Sequence, residues 1–271
     1  TEAECLALIK KNECFQAEIA GGAFIVKIDE YSPVICTAIH NGHRLRDELQ
    51  KTFLLTDAER YYEEDPFTDE LISSFPIQMI GNDSRFEYDL NRAPETAIYD
   101  DAWGKELWKT PLTPEMRAKS MAKYHAFYRV VQVLIKKIES LHQVCVVYDM
   151  HSYNWKRWDR DVPTWNLGTA NVDSTRFGKS IETWRKSLSE MQLPHKIVNT
   201  SKINDTFQGN GYFLKFITNN FKNTLVLATE MAKVYCDEYN YIIYPEVVAA
   251  VNKNLRKRLP EHADAFYKMY S

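Results

Sequence analysis

The sequence predicts an α/β fold: a single domain with a mixed central sheet flanked by helices. Three observations carry that prediction. Several short runs are almost continuously apolar, as strands covered on both faces must be. Stretches with apolar residues at helical spacing lie between them, the alternation expected of an α/β sheet. No internal repeat, low-complexity tract or Gly/Ser linker divides residues 1–271, and that length can bury one substantial core.

The strand candidates are AFIVKI (23–28), SPVICTAI (32–39), VCVVYDM (144–150), HKIVNT (195–200) and NTLVLATEM (223–231). Thr113, Pro114 and Glu115 combine an N-cap, a first-turn proline and an acid suited to the helix dipole. Phe127, Val131, Leu134, Ile135, Ile138 and Leu141 then recur at helical spacing and lead into the 144–150 run. Two further helices fit 174–191 and 245–257, the second opened by Pro245. Asp65 before Pro66 reads as the N-cap of a helix over 66–75.

Composition narrows the function classes. Apolar residues make up 45%, charged residues 26%, and the net charge is −3, so no global field draws the chain to nucleic acid or anionic lipid. The basic run Lys253, Arg256, Lys257 and Arg258 reads as a solvated helix face. Five scattered cysteines without a C-x-x-C pair suggest neither a disulfide framework nor a thiolate zinc site. With no long apolar segment at the N-terminus or elsewhere, the expectation is a cytoplasmic protein that does not engage a membrane.

In open α/β sheets, sites gather beyond the carboxyl ends of the strands. SPVICTAI ends at HNGH, which puts His40 and His43 on a loop that Gly42 lets turn tightly. VCVVYDM ends at His151, and NTLVLATEM carries Glu230 near its end. Each residue alone reads as an ordinary loop group, with Glu230 free to pair with Lys233. Together, imidazoles and a carboxylate are also the ligand set of a catalytic zinc with an open position. The acidic stretch YYEEDPFTDEL (61–71) could supply a carboxylate ligand. In SRFEYDLNRAP (84–94), Arg85, Asn91 and Arg92 suit either a substrate carboxylate or a salt bridge with Asp89. Ser152 beside His151 lacks a G-x-S-x-G elbow, and no nucleotide-binding glycine motif occurs.

Taken in order, AIHNGHRL (38–45), EEDPFTDEL (63–71), SRFEYDLNRAP (84–94), YDMHSY (148–153), PTWNLGT (163–169), FQGNGYFLKF (207–216) and ATEMAKVYCDE (228–238) resemble the N-formylglutamate amidohydrolase family over about residues 35–240. The resemblance implies a zinc-exopeptidase-like fold, shared with the carboxypeptidase-like hydrolases, and a bound Zn2+. It implies His40 and His151 as zinc ligands with Asp65 as the third, Glu64 and His43 being the alternates. It gives Glu230 the general base and acid role and Arg85 the oxyanion. Asn91 and Arg92 would hold a substrate carboxylate, with Lys215 also on the substrate side. Lys215 and Phe216 stand where the family usually has Arg and His, and Ile39 and Asn41 replace its usual neighbours of the first histidine. The implied activity is hydrolysis of the amide of an N-formyl or N-acyl acidic amino acid, or a similar small carboxylate. The rival readings are a non-catalytic carboxylate-binding protein on the same fold and a metallo-carboxypeptidase.

Overall fold

A computed structural model describes residues 1–271. The chain opens with α1 (Glu2–Lys11), the hairpin β1 (Phe15–Ile19) and β2 (Phe24–Ile28), and then β3 (Val34–Ala38). Three short helices, α2 (Asp47–Gln50), α3 (Asp57–Glu63) and α4 (Thr68–Ile72), precede β4 (Ile77–Gly81). A small separate hairpin, β5 (Asp101–Ala102) and β6 (Lys105–Glu106), comes before α5 (Pro114–His142) and β7 (Cys145–Tyr153). The remaining elements are β8 (Trp165–Gly168), α6 (Ser174–Ser189), β9 (Ser201–Ile203), α7 (Tyr212–Asn220), β10 (Thr224–Ala232) and α8 (Pro245–Tyr270).

Eight strands form one mixed sheet in the order β1-β2-β4-β3-β7-β10-β8-β9. Its centre, β4-β3-β7-β10, is parallel, and antiparallel pairs flank it on both sides. The parallel centre explains the near-continuous apolar runs: every residue of β3, β4 and β7 is buried. From β3 the chain moves to β4 on one side. It then crosses back through α5 to β7 on the other side of β3. The strand order therefore reverses between β3 and β7, and the crevice at their carboxyl ends is where this topology places ligands.

Helix α5 is capped as its sequence predicts, Thr113 Oγ1 accepting a hydrogen bond from Met116 N at 3.2 Å. Its buried stripe includes Phe127, Val131, Leu134, Ile135 and Ile138, each worth about 1.5–3 kcal/mol of transfer free energy. That stripe belongs to a cluster of 61 buried residues that also takes in β3, β4, β7 and β10, so the site strands rest on the main core.

Three expectations need correction. HKIVNT (195–200) is not a strand. His195 and Lys196 sit in a left-handed turn with φ of 55° and 57°, Val198 is 78% exposed, and pairing with β8 begins only at Ser201. The helix expected over 66–75 spans only Thr68–Ile72, its N-cap is Phe67, and Asp65 is left outside it. The C-terminal helix runs to Tyr270 rather than 257, carrying Pro260 in its interior. No helix is long and apolar enough to cross a membrane.

Candidate functional site

At the β3–β7 switch point, His40 follows β3 by two residues and His151 is the seventh residue of β7. Glu230 on β10 is the register partner of His151. Asp65 arrives from the loop between α3 and α4, tied to the first histidine loop by Asp65 N–H donating to His40 O at 3.0 Å. That histidine loop packs tightly on β4's exit: a Cβ on Gly42 would lie 2.2 Å from the Asn82 carbonyl carbon. Glycine is required there for close approach, with no unusual φ involved.

Asp65 Oδ2 lies 3.0 Å from His151 Nδ1 and 3.4 Å from His40 Nδ1. One ligand atom from each of His40, Asp65 and His151 can be chosen so that all three lie within 4.8 Å of one another, and all three residues are buried. The far nitrogens are held by carboxylates. His40 Nε2 is 2.8 Å from Asp89 Oδ1, and His151 Nε2 is 2.8 Å from Asp149 Oδ2. Asp149 in turn accepts from Thr37 Oγ1 at 2.6 Å, across the β3–β7 pairing. Both rings therefore turn Nδ1 toward Asp65 and Nε2 toward a second carboxylate. A carboxylate behind each imidazole is how metal-binding histidines are oriented.

The electrostatics follow from the burial. Desolvation alone would disfavour a charged His151, but Asp149, Glu230 and the hydrogen bonds to Asp149 and Asp65 hold its pKa well above the ordinary imidazole value. Desolvation also works against an ionised Asp65, yet the bonds from His151 and His40 keep that carboxyl below the usual range. Glu230 is half-buried and has no such partner, so burial pushes its pKa up to about 7, only partly offset by His151.

Arg85 donates twice to Asp89 Oδ2, at 3.1 and 2.7 Å, and once to Glu63 O at 3.0 Å. Three of its five N–H groups are thus committed, leaving two without a protein partner on a residue that lines the cleft. Asn91 Oδ1 accepts from Phe213 N at 3.3 Å, and Gly211 packs so closely that a Cβ there would sit 2.1 Å from that oxygen. The Asn91 carboxamide is pinned with its NH₂ unused by that bond. Arg92 Nε lies 3.4 Å from Tyr99 OH. All of these line one cleft of about 420 Å³ together with His40, Asp65, His151 and Glu230.

Other expected residues are not brought in. His43 Nδ1 meets Glu64 Oε2 at 2.5 Å and stacks on Tyr61, and Glu64 also accepts from Ser84 Oγ, so both alternates are spent on each other outside the cleft. Lys215 lies on α7 but does not line the cleft, to which α7 contributes Leu214. Its neighbour Phe216 packs on Tyr128, 4.8 Å between ring centroids. The Glu230–Lys233 pair does not form either. Buried Lys233 donates instead to the carbonyls of Tyr62 and Glu64, both at 2.8 Å. Lys233 and Asp89 are the residues that sequence reasoning undervalued: one clamps the segment carrying Asp65, the other backs His40. A lysine one residue past a buried strand, where a charge is costly unless paired, was the available signal for the first.

The fold and this cleft define an α/β protein with an imidazole-and-carboxylate pocket at the carboxyl edge of its sheet. The model of the N-formylglutamate amidohydrolase family matches residues 32–234, and the chain belongs to that family of hydrolases acting on C–N amide bonds. Among solved structures it is similar to an N-formylglutamate amidohydrolase from Ralstonia eutropha JMP134, at 15% identity and a TM-score of 0.76 over 91% of this chain and 98% of that one. It is also similar to a gene product of Agrobacterium tumefaciens, at 18% identity and a TM-score of 0.70 over 93% of this chain and 98% of that one. No curated protein matches the chain.

Proposed function

We propose that the protein is a zinc-dependent amidohydrolase that removes the acyl group from an N-acylated acidic amino acid or a similar small carboxylate. The observation that carries this reading is the convergence of His40, Asp65 and His151 on one point beside Glu230. Two imidazole nitrogens and one carboxylate oxygen suit zinc with an open fourth position. Bound there, zinc would acidify a water and polarise the amide carbonyl.

The chain's own groups do the rest. Asn91 and Arg92 anchor the substrate carboxylate and so fix the amide relative to the three ligands. The two uncommitted N–H groups of Arg85 meet the charge that develops on the carbonyl oxygen. Glu230, the one cleft carboxylate without a cationic or hydrogen-bonding partner, takes the proton from the attacking water and returns it to the leaving nitrogen. Asp149 and Asp89 keep the two imidazoles oriented throughout.

The test is Glu230→Gln, assayed for zinc content and for hydrolysis of N-formyl-L-glutamate. The expected result is one zinc per chain retained and a rate lower by about 10²–10⁴-fold, the usual contribution of a general base. Full activity in that variant would overturn the assignment.

A further inference from the structure

A second groove, of about 640 Å³, opens beside the cleft and shares Tyr62, Glu63, Trp103 and Arg157 with it. Leu55, Ala58, Ala102 and Tyr239 form the rest of its apolar lining. Tyr239 stacks on Tyr62 with 5.7 Å between centroids, and the Arg157 guanidinium lies 5.0 Å from the centroid of the Tyr62 ring. Trp103 and Tyr239 nevertheless remain 40% and 57% exposed, so both leave aromatic surface open along the groove. The charges on the groove cancel locally. Glu59 pairs with Lys105 at 2.7 Å and Glu63 with Arg157 at 2.5 Å. A groove so lined suits a neutral apolar group and offers nothing to an ionised one. The carboxylate-anchoring pair Asn91 and Arg92 lines the cleft but not the groove. What extends into the groove is therefore the other end of the substrate.

We infer that the substrate's acyl group is aromatic or comparably large and apolar, and that it lies in the groove of Leu55, Ala58, Tyr62, Trp103 and Tyr239. This rests on the amidohydrolase reading above. A formyl group, with its single carbon, would leave the groove unused. In the reaction water's oxygen bonds to the acyl carbon and the C–N bond breaks; the acyl group leaves as a carboxylate, and the amino acid's nitrogen takes the proton.

The experiment compares N-phenylacetyl-L-glutamate, N-formyl-L-glutamate and the dipeptide Phe-Glu as substrates of the zinc-loaded protein and of its Ala58→Trp variant. Ala58 is exposed and lines the groove but not the cleft, so tryptophan there fills the groove while leaving His40, Asp65, His151 and Glu230 in place. The expected result is a kcat/KM for the phenylacetyl compound at least about tenfold above that for the formyl compound. In Ala58→Trp that advantage is lost, while formyl hydrolysis stays within about twofold of wild type. Equal or better turnover of N-formyl-L-glutamate by the wild type would overturn the inference and leave the amidohydrolase reading intact. Preference for the dipeptide would overturn it in favour of a peptide. If nothing is hydrolysed, yet the phenylacetyl compound binds by calorimetry and Ala58→Trp abolishes that binding, the groove assignment stands and the amidohydrolase reading falls.

Discussion

Strand β7 carries a buried histidine against each of its faces, and the two are treated in opposite ways. On one face, His151 is bracketed by Asp149 and Asp65 and its pKa is held well above the ordinary value. On the other, Tyr148 meets His262 of α8, its hydroxyl 2.5 Å from Nδ1. The His262 Nε2–H donates to Ser180 O at 2.9 Å, so that ring is satisfied as a neutral group. Burial pushes its pKa down to about 4. Equal burial therefore does not make equal histidines. Beneath α6 and α8 the partners are a hydroxyl and a carbonyl, and the imidazole is a core residue. At the strand's carboxyl end the partners are carboxylates, and the imidazole sits in a field built for positive charge.

Removing His151 should break the comparison most severely. His151→Gln deletes one proposed ligand, and the expected outcome is loss of stoichiometric zinc and a fall of at least about 10³-fold in amide hydrolysis. His262→Gln should leave zinc bound and hydrolysis within a few-fold. Elemental analysis and steady-state kinetics on the two variants read this directly, and equal zinc loss in both would erase the distinction.

The orienting carboxylates come next. Asp149→Asn keeps the shape but weakens the hold on His151, so zinc affinity should drop by about 10–100-fold in a chelator competition. An unchanged affinity would show that Asp149 is there for packing alone.

The pH dependence of stability sharpens the contrast, with opposite signs on the two faces. His262 has a folded pKa below its unfolded value near 6.5, so the unfolded chain binds the extra proton. Its contribution is present above pH 6.5 and lost as the pH falls toward 4. Urea unfolding of the wild type relative to His262→Gln should show about 2 kcal/mol of additional loss between pH 7 and pH 5. His151, raised in the metal-free chain, works the other way. Its contribution is present below pH 6.5 and declines as the pH rises toward its elevated pKa.

The smallest effect expected is at Ser152. No hydrogen bond joins its Oγ to His151 or to any other imidazole, and Ser152→Ala should change kcat/KM by less than about threefold. A loss of a hundredfold or more would revive a serine nucleophile.

Much of this fold and site is legible in the sequence. The parallel strands β3, β7 and β10 announced themselves because double-sided burial demands unbroken apolar runs, and their last residues pointed to His40, His151 and Glu230. Central β4 was missed, its short run interrupted by Gln78, and the edges were harder to read. HKIVNT has strand-like composition, but two left-handed residues turn the chain before it can pair. The five-residue β1 alternates partly exposed positions and lacks any such run. Within the site, the carboxylate behind His151 lies two residues back on the same strand face, so local geometry could suggest it. The one behind His40 is Asp89, 49 residues away, and Lys233 clamps carbonyls about 170 residues distant. Such partners are chosen by the tertiary fold, and no local pattern encodes them.

The central claim is that the charged face of β7 is a zinc site, and an anomalous difference map at the zinc edge from crystals of the protein tests it most directly. One peak is expected about 2.0–2.2 Å from His40 Nδ1, His151 Nδ1 and an Asp65 carboxylate oxygen. A peak between His43 and Glu64, or none in zinc-supplemented crystals, would contradict it.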